Sequence, residues 1–359
     1  PQELLEAIYE DPDDGQRRAV YADLLSEQED PRGELITLQL QREELPLSRK
    51  LRDRERELLD THGRRWLGDI APCLSKEGLE YRRGFPARGR VELTYGEPVS
   101  AHLMANPAWS TFESLTFADS RISKEFARHA PLRCLRELQG ADVALVSQLA
   151  GKDSALSRRL LILRIAGCYD GLFGWIRQFA GDSIEWQRML RELGHGPGLT
   201  NLETLWFFID NRNDPPSLQI LQWLLESPRA AQLSCLRLDI ASQVSTWLRL
   251  FITHASELPF RELQLRSDNR NPAGSWPRTF EPQSRQLSID LRDVPPAQLT
   301  RALADSATCL EFLALHRCDV RALRLELEAD AKPNARLVQR LHAVADNLPL
   351  ERRELPHLV

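Results

Sequence analysis

One short hydrophobic pattern recurs through the middle of the chain. An apolar residue is followed three positions later by Leu and, two positions after that, by a second apolar residue. Clear copies are Phe112–Leu115–Phe117, Leu160–Leu163–Ile165, Leu202–Leu205–Phe207, Leu233–Leu236–Leu238, Phe260–Leu263–Leu265 and Leu310–Leu313–Leu315. Weaker copies lie at Leu287–Ile289 and near Leu132–Leu135–Leu138, where the spacing leaves the register open. Apolar residues two positions apart share one face of a strand, so each copy predicts a short strand with a buried face.

The segments between these copies have the apolar spacing of helices. They are residues 121–130, 142–156, 172–191, 218–225, 244–255 and 296–304. A strand followed by a helix, repeated about eight times, predicts an α/β fold. Its expected architecture is a curved solenoid, with parallel strands on the concave side and helices on the convex side.

The strand pattern resembles that of leucine-rich repeats. In that family an Asn or Cys normally stands three residues past the last apolar position, where it bonds to the backbone of the neighbouring turn. Cys168, Asp210, Asp268 and Cys318 occupy this position in four copies. The resemblance implies a degenerate repeat array with a narrow core of Leu side chains, and Leu supplies 61 of the 359 residues.

The first 66 residues predict helices. Pro12 and Pro31 each follow an Asp, a combination that predicts a capping carboxylate and a proline at the first helical position. Residues 51–66 alternate Arg with acidic residues around a few Leu side chains. That pattern is typical of a helix whose solvated face carries ion pairs between successive turns.

Several blocks near the N-terminus occur together in order. They are Tyr21-Ala22-Asp23-Leu24-Leu25, Glu29-Asp30-Pro31-Arg32-Gly33-Glu34-Leu35-Ile36, Glu55-Arg56-Glu57-Leu58-Leu59, His62-Gly63, Trp66-Leu67-Gly68 and Arg82-Arg83-Gly84-Phe85. Over residues 2–95 they resemble a small bacterial helical domain known chiefly as a companion of degenerate leucine-rich repeats. Leu24 stands where that family usually has Trp, and Glu29 where it has Gly. The resemblance implies an architecture and no activity.

Residues 82–90 contain four Arg and form the most basic stretch of the chain. The alternation from Val91 onward predicts a strand, and we interpret the Arg residues as partners of the acidic helices before it. A nucleic-acid contact is the alternative. We predict three parts: a helical repeat-companion domain over 1–78, the solenoid over 79–331, and a terminal cap over 332–359, where apolar residues again have helical spacing.

No motif of a familiar enzyme chemistry occurs. The chain lacks a phosphate-binding loop, a dinucleotide fingerprint and a zinc-protease helix. Gly194-His195-Gly196-Pro197-Gly198 indicates a helix end and a turn. Cys309, His316 and Cys318 lack a fourth metal ligand. We therefore predict no catalytic residue, no metal and no cofactor. The alternative to a non-enzymatic role is an enzyme with its site between the helical domain and the first repeats.

Composition narrows the class of partner. A formal net charge of −5 argues against general nucleic-acid binding, which depends on neutralising phosphates. No run approaches the roughly 20 apolar residues of a membrane span. Six thinly spread Cys favour a reducing compartment, so we expect a cytoplasmic protein.

A repeat array of this kind predicts a protein partner on the concave strands. Side chains that flank the inward Leu positions point outward onto that face. The predicted partner-binding residues are Arg164, Thr204, Trp206, Phe208, Arg237, Asp239, Glu262, Gln264, Arg266, Phe312 and His316. Trp and Arg dominate the energetics of many interfaces, which places Trp206 and Arg237 at the centre of the prediction.

Overall fold

The computed structural model describes residues 2–46, 48–93, 100–119, 122–165, 184–209, 223–240, 244–267, 276, 278–328, 331 and 333–355. The fold is mixed α/β. Internal contacts divide the chain into two units. The first contains residues 1–166, 170–173 and 197–201, and the second contains residues 167–169, 174–196 and 202–359. The predicted boundaries at residues 78 and 331 fall inside these units and stay predictions.

The first unit begins with helices and continues with alternating strands and helices. Its helices are α1 Gln2–Glu10, α2 Gly15–Glu27, α3 Pro31–Glu44, α4 Arg49–Trp66, α5 Ala101–Met104, α6 Ser123–His129, α7 Val143–Gly151 and α8 Ala155–Arg159. Its strands are β1 Glu80–Arg82, β2 Phe85–Val91, β3 Ser114–Phe117, β4 Glu137–Ala141 and β5 Ile162–Ile165. Short 3-10 turns span Gly68–Cys73 and Pro107–Thr111. β1 pairs with β2 antiparallel, and β2 to β5 pair in chain order as parallel strands.

The second unit contains the remaining elements. Its strands are β6 Thr204–Ile209, β7 Cys235–Ile240, β8 Glu262–Ser267, β9 Arg278–Glu281, β10 Gln286–Asp290, β11 Ala322–Glu326 and β12 Arg352–Glu354. Its helices are α9 Ile184–His195, α10 Val244–Thr253, α11 Pro296–Leu315 and α12 Ala335–Ala345. β6, β7 and β8 are parallel, as are β10, β11 and β12. β9 departs from the predicted parallel strands, because it runs antiparallel to both β8 and β10.

Most of the predicted strands are confirmed. The copies around Leu115, Leu163, Leu205, Leu236, Leu263 and Leu287 coincide with β3, β5, β6, β7, β8 and β10, and each of these Leu side chains is fully buried. Strand pairing also settles the copy near residues 132–138. Leu138 aligns with Leu115 on one side and with Leu163 on the other, so Leu138 is its inward residue.

The predicted strand at Leu310–Leu313–Leu315 is wrong. These residues lie in the last turns of α11, and Leu315 is 79% exposed. The strand of this repeat is β11, where Val320, Leu323 and Leu325 have the same spacing and are buried. Leu310 and Leu313 are buried because residues three apart also share a helix face. Cys318 consequently precedes the strand that it was expected to follow.

The helix predictions between the strands agree with the described helices. Residues 121–130, 142–156 and 244–255 correspond to α6, to α7 with α8, and to α10, and α11 extends well past the predicted end at residue 304. In the predicted cap, residues 335–345 form α12. Cys168, Asp210, Asp268 and parts of the predicted helices 172–191 and 218–225 lie outside the described residues.

The two predicted proline caps have different outcomes. Pro31 is the first residue of α3, and the Asp30 carboxylate accepts a hydrogen bond from the Arg32 backbone N–H. The Asp11–Pro12 prediction is wrong. α2 begins at Gly15, and Asp14 caps it by accepting from the N–H groups of Gln16 and Arg17.

The N-terminal sequence blocks meet around the buried Phe85 ring of β2. The guanidinium carbons of Arg18 and Arg32 lie 4.8 and 4.3 Å from the ring centre. The Tyr21 ring lies 6.2 Å away, and Ile36 belongs to the same hydrophobic cluster. Arg18 also donates to the carbonyls of Pro12, Arg82 and Arg83, while Arg32 donates to that of Gly84. The described contacts give these blocks a structural role in joining α2 and α3 to β2.

Gly33 allows α3 to approach α2 closely. A Cβ built at this position would lie 2.7 Å from the Ala22 carbonyl oxygen and 2.7 Å from the Ser26 hydroxyl. No ordinary side-chain carbon fits at that distance. The Arg-Gly-Glu sequence at positions 32–34 therefore provides, in order, a hydrogen bond to the residue before β2, a close helix crossing, and an ion pair between Glu34 and Arg54 of α4.

Glu29 has a backbone conformation that favours glycine. Its φ angle is +57°, and it follows the C-terminus of α2. The Glu29 N–H donates to the Ser26 carbonyl, and the Asp30 N–H donates to the Leu25 carbonyl, which is the Schellman pattern of helix ends. A side chain in the left-handed region costs about 1 kcal/mol or more relative to glycine.

We expect Glu29→Gly to raise the free energy of unfolding by about 1 kcal/mol, because glycine relieves this strain. Urea denaturation would measure the change. Glu27→Gly is the matched control, since Glu27 is exposed and lies inside α2, where glycine destabilises a helix. Equal losses of stability in both variants would contradict the assignment of strain to position 29.

Candidate functional site

The predicted binding residues on β6, β7 and β8 form three cross-strand rows. Leu205, Leu236 and Leu263 point into the core, and their neighbours along each strand point to the opposite face. The pairing of the strands places Thr204, Cys235 and Glu262 in the first row, Trp206, Arg237 and Gln264 in the second, and Phe208, Asp239 and Arg266 in the third. We call these nine positions the outward face. The Phe208 side chain lies outside the described residues.

An aromatic–guanidinium pair lies at the centre of the outward face. The Arg237 guanidinium carbon is 5.7 Å from the centre of the Trp206 ring, within the range of a cation–π interaction. Both side chains are partly buried. The Arg237 Nε atom is buried and has no hydrogen-bond partner among the described residues. This arrangement holds a cationic group next to an aromatic ring.

Cys235 and Gln264 both hydrogen-bond to Glu262. The Cys235 thiol donates to Glu262 Oε1 at 3.7 Å, and the Gln264 amide donates to the same oxygen. Burial raises the pKa of Cys235 to about 11, and the Glu262 carboxylate adds to the effect. The thiol therefore stays protonated at neutral pH, which suits a hydrogen-bond donor and not a nucleophile. Cys235 was not among the predicted binding residues, although its position two residues before Arg237 places it on the same face.

The middle row continues across the second unit. Gln264 aligns with Thr279 of β9, then Ser288 of β10 and Arg324 of β11. Arg324 forms ion pairs with Glu326 and Glu354. Its charge is thus compensated within the unit. Arg266 of β8, by contrast, is exposed and forms no ion pair with any described residue. Arg266 is therefore a cation of the outward face that a partner could contact.

The other predicted binding residues lie elsewhere. Arg164 is on β5 in the first unit, where it aligns with Gln139. Phe312 was predicted on an outward strand face, but it lies in α11, and His316 caps the C-terminus of that helix. Their rings are 4.4 Å apart, and Arg249 of α10 contacts both of them. This correction follows from the misplaced strand at 310–315.

The four Arg residues of the basic stretch all have acidic partners. Arg82 pairs with Glu43 of α3 and with Glu113, and Arg83 pairs with Glu43, at distances of 2.8–2.9 Å. Arg88 lies 3.5 Å from Glu80 and Glu137, and Arg90 lies 3.4 Å from Glu92. Arg82 and Arg83 match the interpretation, because Glu43 lies in a helix before the strand. Arg88 and Arg90 do not, because their partners lie in β1, in β4 or directly after β2. The strand itself ends at Val91, where it was expected to begin.

Within the described part of the chain, no group of three or more His, Cys, Asp or Glu residues has the geometry of a metal site. Cys309 and Cys318 are buried and free. None of the described helices combines the length and the apolar character needed to cross a membrane.

Comparison with known proteins finds no match. This holds for protein-family models, for curated proteins and for solved structures alike.

Proposed function

We propose that this protein is a non-enzymatic interaction module that binds another protein through the outward face. The strand–helix units would belong to a degenerate leucine-rich-repeat-like solenoid, preceded by a helical repeat-companion domain. In such a repeat the outward face is the concave surface, which is where repeat proteins bind their partners. The role would be that of a scaffold, a regulator, or a subunit or substrate recognised by a partner enzyme.

One observation carries the proposal: the row that aligns Trp206, Arg237 and Gln264. Trp and Arg are enriched among the few residues that supply most of the binding energy at protein interfaces. The pair is held in place before binding, because both side chains are half-buried and the guanidinium lies on the ring. Preorganised side chains lose less entropy on binding than mobile ones. The uncompensated Arg266 lies in the adjacent row.

The test begins by identifying the partner with a photo-crosslinker. One chain carries the crosslinking residue at Gln264 on the outward face, and a second carries it at Arg301, an exposed position of α11. A partner captured from the native host at Gln264 and not at Arg301 would then be purified for affinity measurements.

We expect Trp206→Ala and Arg237→Ala each to weaken binding of that partner by about 1–2 kcal/mol, a loss of roughly fivefold to thirtyfold in affinity. Calorimetry would measure the affinity, and circular dichroism would show that the variants are folded. Arg301→Ala is the control and should bind like the parent. If changes on α11 or in the N-terminal helices abolished binding while the outward-face series left it intact, the proposal would be refuted.

A further inference from the structure

A cavity of about 630 Å³ lies in the first unit, between the N-terminal helices and the 3-10 turn Pro107–Thr111. Its walls come from α1, the α2–α3 turn, the end of α4 and the two 3-10 turns of this unit. The volume is within the range of sites that enclose small molecules. The outward face belongs to the second unit, so this cavity is a separate feature of the protein.

The wall formed by α3 contains a buried cation without a counter-ion. Arg32 is only 8% exposed, and no described carboxylate forms an ion pair with it. Its Nε donates to the Gly84 carbonyl, and its guanidinium lies over the Phe85 ring and beside Tyr9. These contacts fix its position but do not neutralise its charge. A buried charge that lacks a counter-ion is costly, and an anionic group in the cavity would lower that cost.

The remaining lining residues offer an aromatic surface and unused charges of both signs. His62 and Trp66 of α4 lie with their ring centres 5.5 Å apart. Arg65, Asp69 and Glu29 also line the cavity, are exposed, and form no ion pair with any described residue. Elsewhere on α4, Arg54 and Arg56 do have acidic partners. Glu29 also keeps its side chain at a strained backbone position, and such strain persists most often at functional sites.

We propose that this cavity binds a small zwitterion of the α-amino-acid class with a planar side chain. The ligand carboxylate would lie toward Arg32 and Arg65, and its ammonium group toward Glu29 and Asp69. The planar side chain would lie against Trp66 and His62. The three acidic residues that line the cavity, Glu29, Asp30 and Asp69, disfavour a multiply charged anion such as phosphate, because their carboxylates would repel it.

The test uses the full chain and a short panel of probes, with affinity measured by calorimetry and stabilisation measured by thermal melting. L-phenylalanine and L-tryptophan are the expected ligands. 3-Phenylpropionate lacks the ammonium group, phenethylamine lacks the carboxylate, and inorganic phosphate lacks both the ammonium group and the ring. We expect at least one of the two amino acids to bind and raise the melting temperature. Each analogue should bind the protein at least about tenfold more weakly than that amino acid does, which is the loss typical of one charge-assisted contact.

Variants on the two sides of the cavity test the carboxylate and the ammonium group of the ligand separately. Arg65→Gln should weaken binding of the amino acid and of 3-phenylpropionate alike. Asp69→Asn, or Glu29→Gln, should weaken binding of the amino acid and leave the affinity for 3-phenylpropionate unchanged. Arg52→Gln is the control, because Arg52 is exposed on α4 and does not line the cavity. The proposal is overturned if neither amino acid binds at millimolar concentration, if phosphate binds as tightly as they do, or if Arg52→Gln weakens binding as much as Arg65→Gln.

Discussion

Replacing Gly84 by Ala is expected to lower the free energy of unfolding of the first unit by about 2–5 kcal/mol, more than any surface change. Two effects add at this position. Gly84 has a φ angle of +76°, which an L-residue adopts only with strain. A Cβ there would also lie 2.0 Å from Ile36 Cγ1, in the cluster around Phe85. Chemical denaturation followed by circular dichroism would measure the loss.

Gly78→Ala is the control that separates the two effects. Gly78 has nearly the same φ angle, +73°, but nothing lies within 4 Å of the position of its Cβ. It should cost only the backbone strain, about 1–2 kcal/mol. If the two variants lost equal stability, the close approach of Ile36 to Gly84 would not be a feature of the protein in solution.

Leu323→Ala should destabilise the second unit by about 2–5 kcal/mol, whereas Leu315→Ala should cost less than about 0.5 kcal/mol. Leu323 is buried in β11 and aligned with Leu287 of β10, so its removal leaves a cavity in the core. Leu315 is largely exposed at the end of α11. The midpoint of a denaturant titration would measure both. This pair distinguishes a strand at 320–325 from a strand at 310–315.

Leu313→Ala cannot make that distinction. Leu313 is fully buried, so its removal is costly whether it lies in a helix or in a strand. A large loss at Leu315 together with a small loss at Leu323 is the result that would refute the structural assignment.

The misplaced strand shows what the hydrophobic pattern alone can decide. The first two apolar positions of the repeated pattern are three residues apart, and this spacing suits a helix face equally well. Only the third position separates the two interpretations, because it is buried in a strand and lies off the apolar face in a helix. Leu238 and Leu265 pass this test, and Leu315 does not. For the copy near 132–138, register became clear only from pairing with β3 and β5.

The site was predictable to a similar extent. Alternation along a strand was enough to place Trp206, Arg237 and Gln264 on one face, because the pleat depends only on local geometry. Sequence did not reveal that the Cys235 thiol donates to Glu262, since that contact depends on the register between β7 and β8. The cavity could not be predicted from the sequence either, because it depends on contacts between distant segments. Its lining comes from positions as distant in sequence as Leu5 and Ala108.

The contacts of Arg18 and Arg32 with Phe85 have a consequence for how the chain folds while it is being synthesised. Helices α1 to α3 leave the ribosome before β2, yet Ile8, Tyr21 and Ile36 share their core with the Phe85 ring of β2. Until β2 emerges, that apolar surface faces water, and both guanidinium groups lack their carbonyl acceptors from Arg82 to Gly84. The core of α1 to α3 is therefore completed only after β2 has been synthesised, and a nascent chain that stalls before residue 85 has an incomplete core.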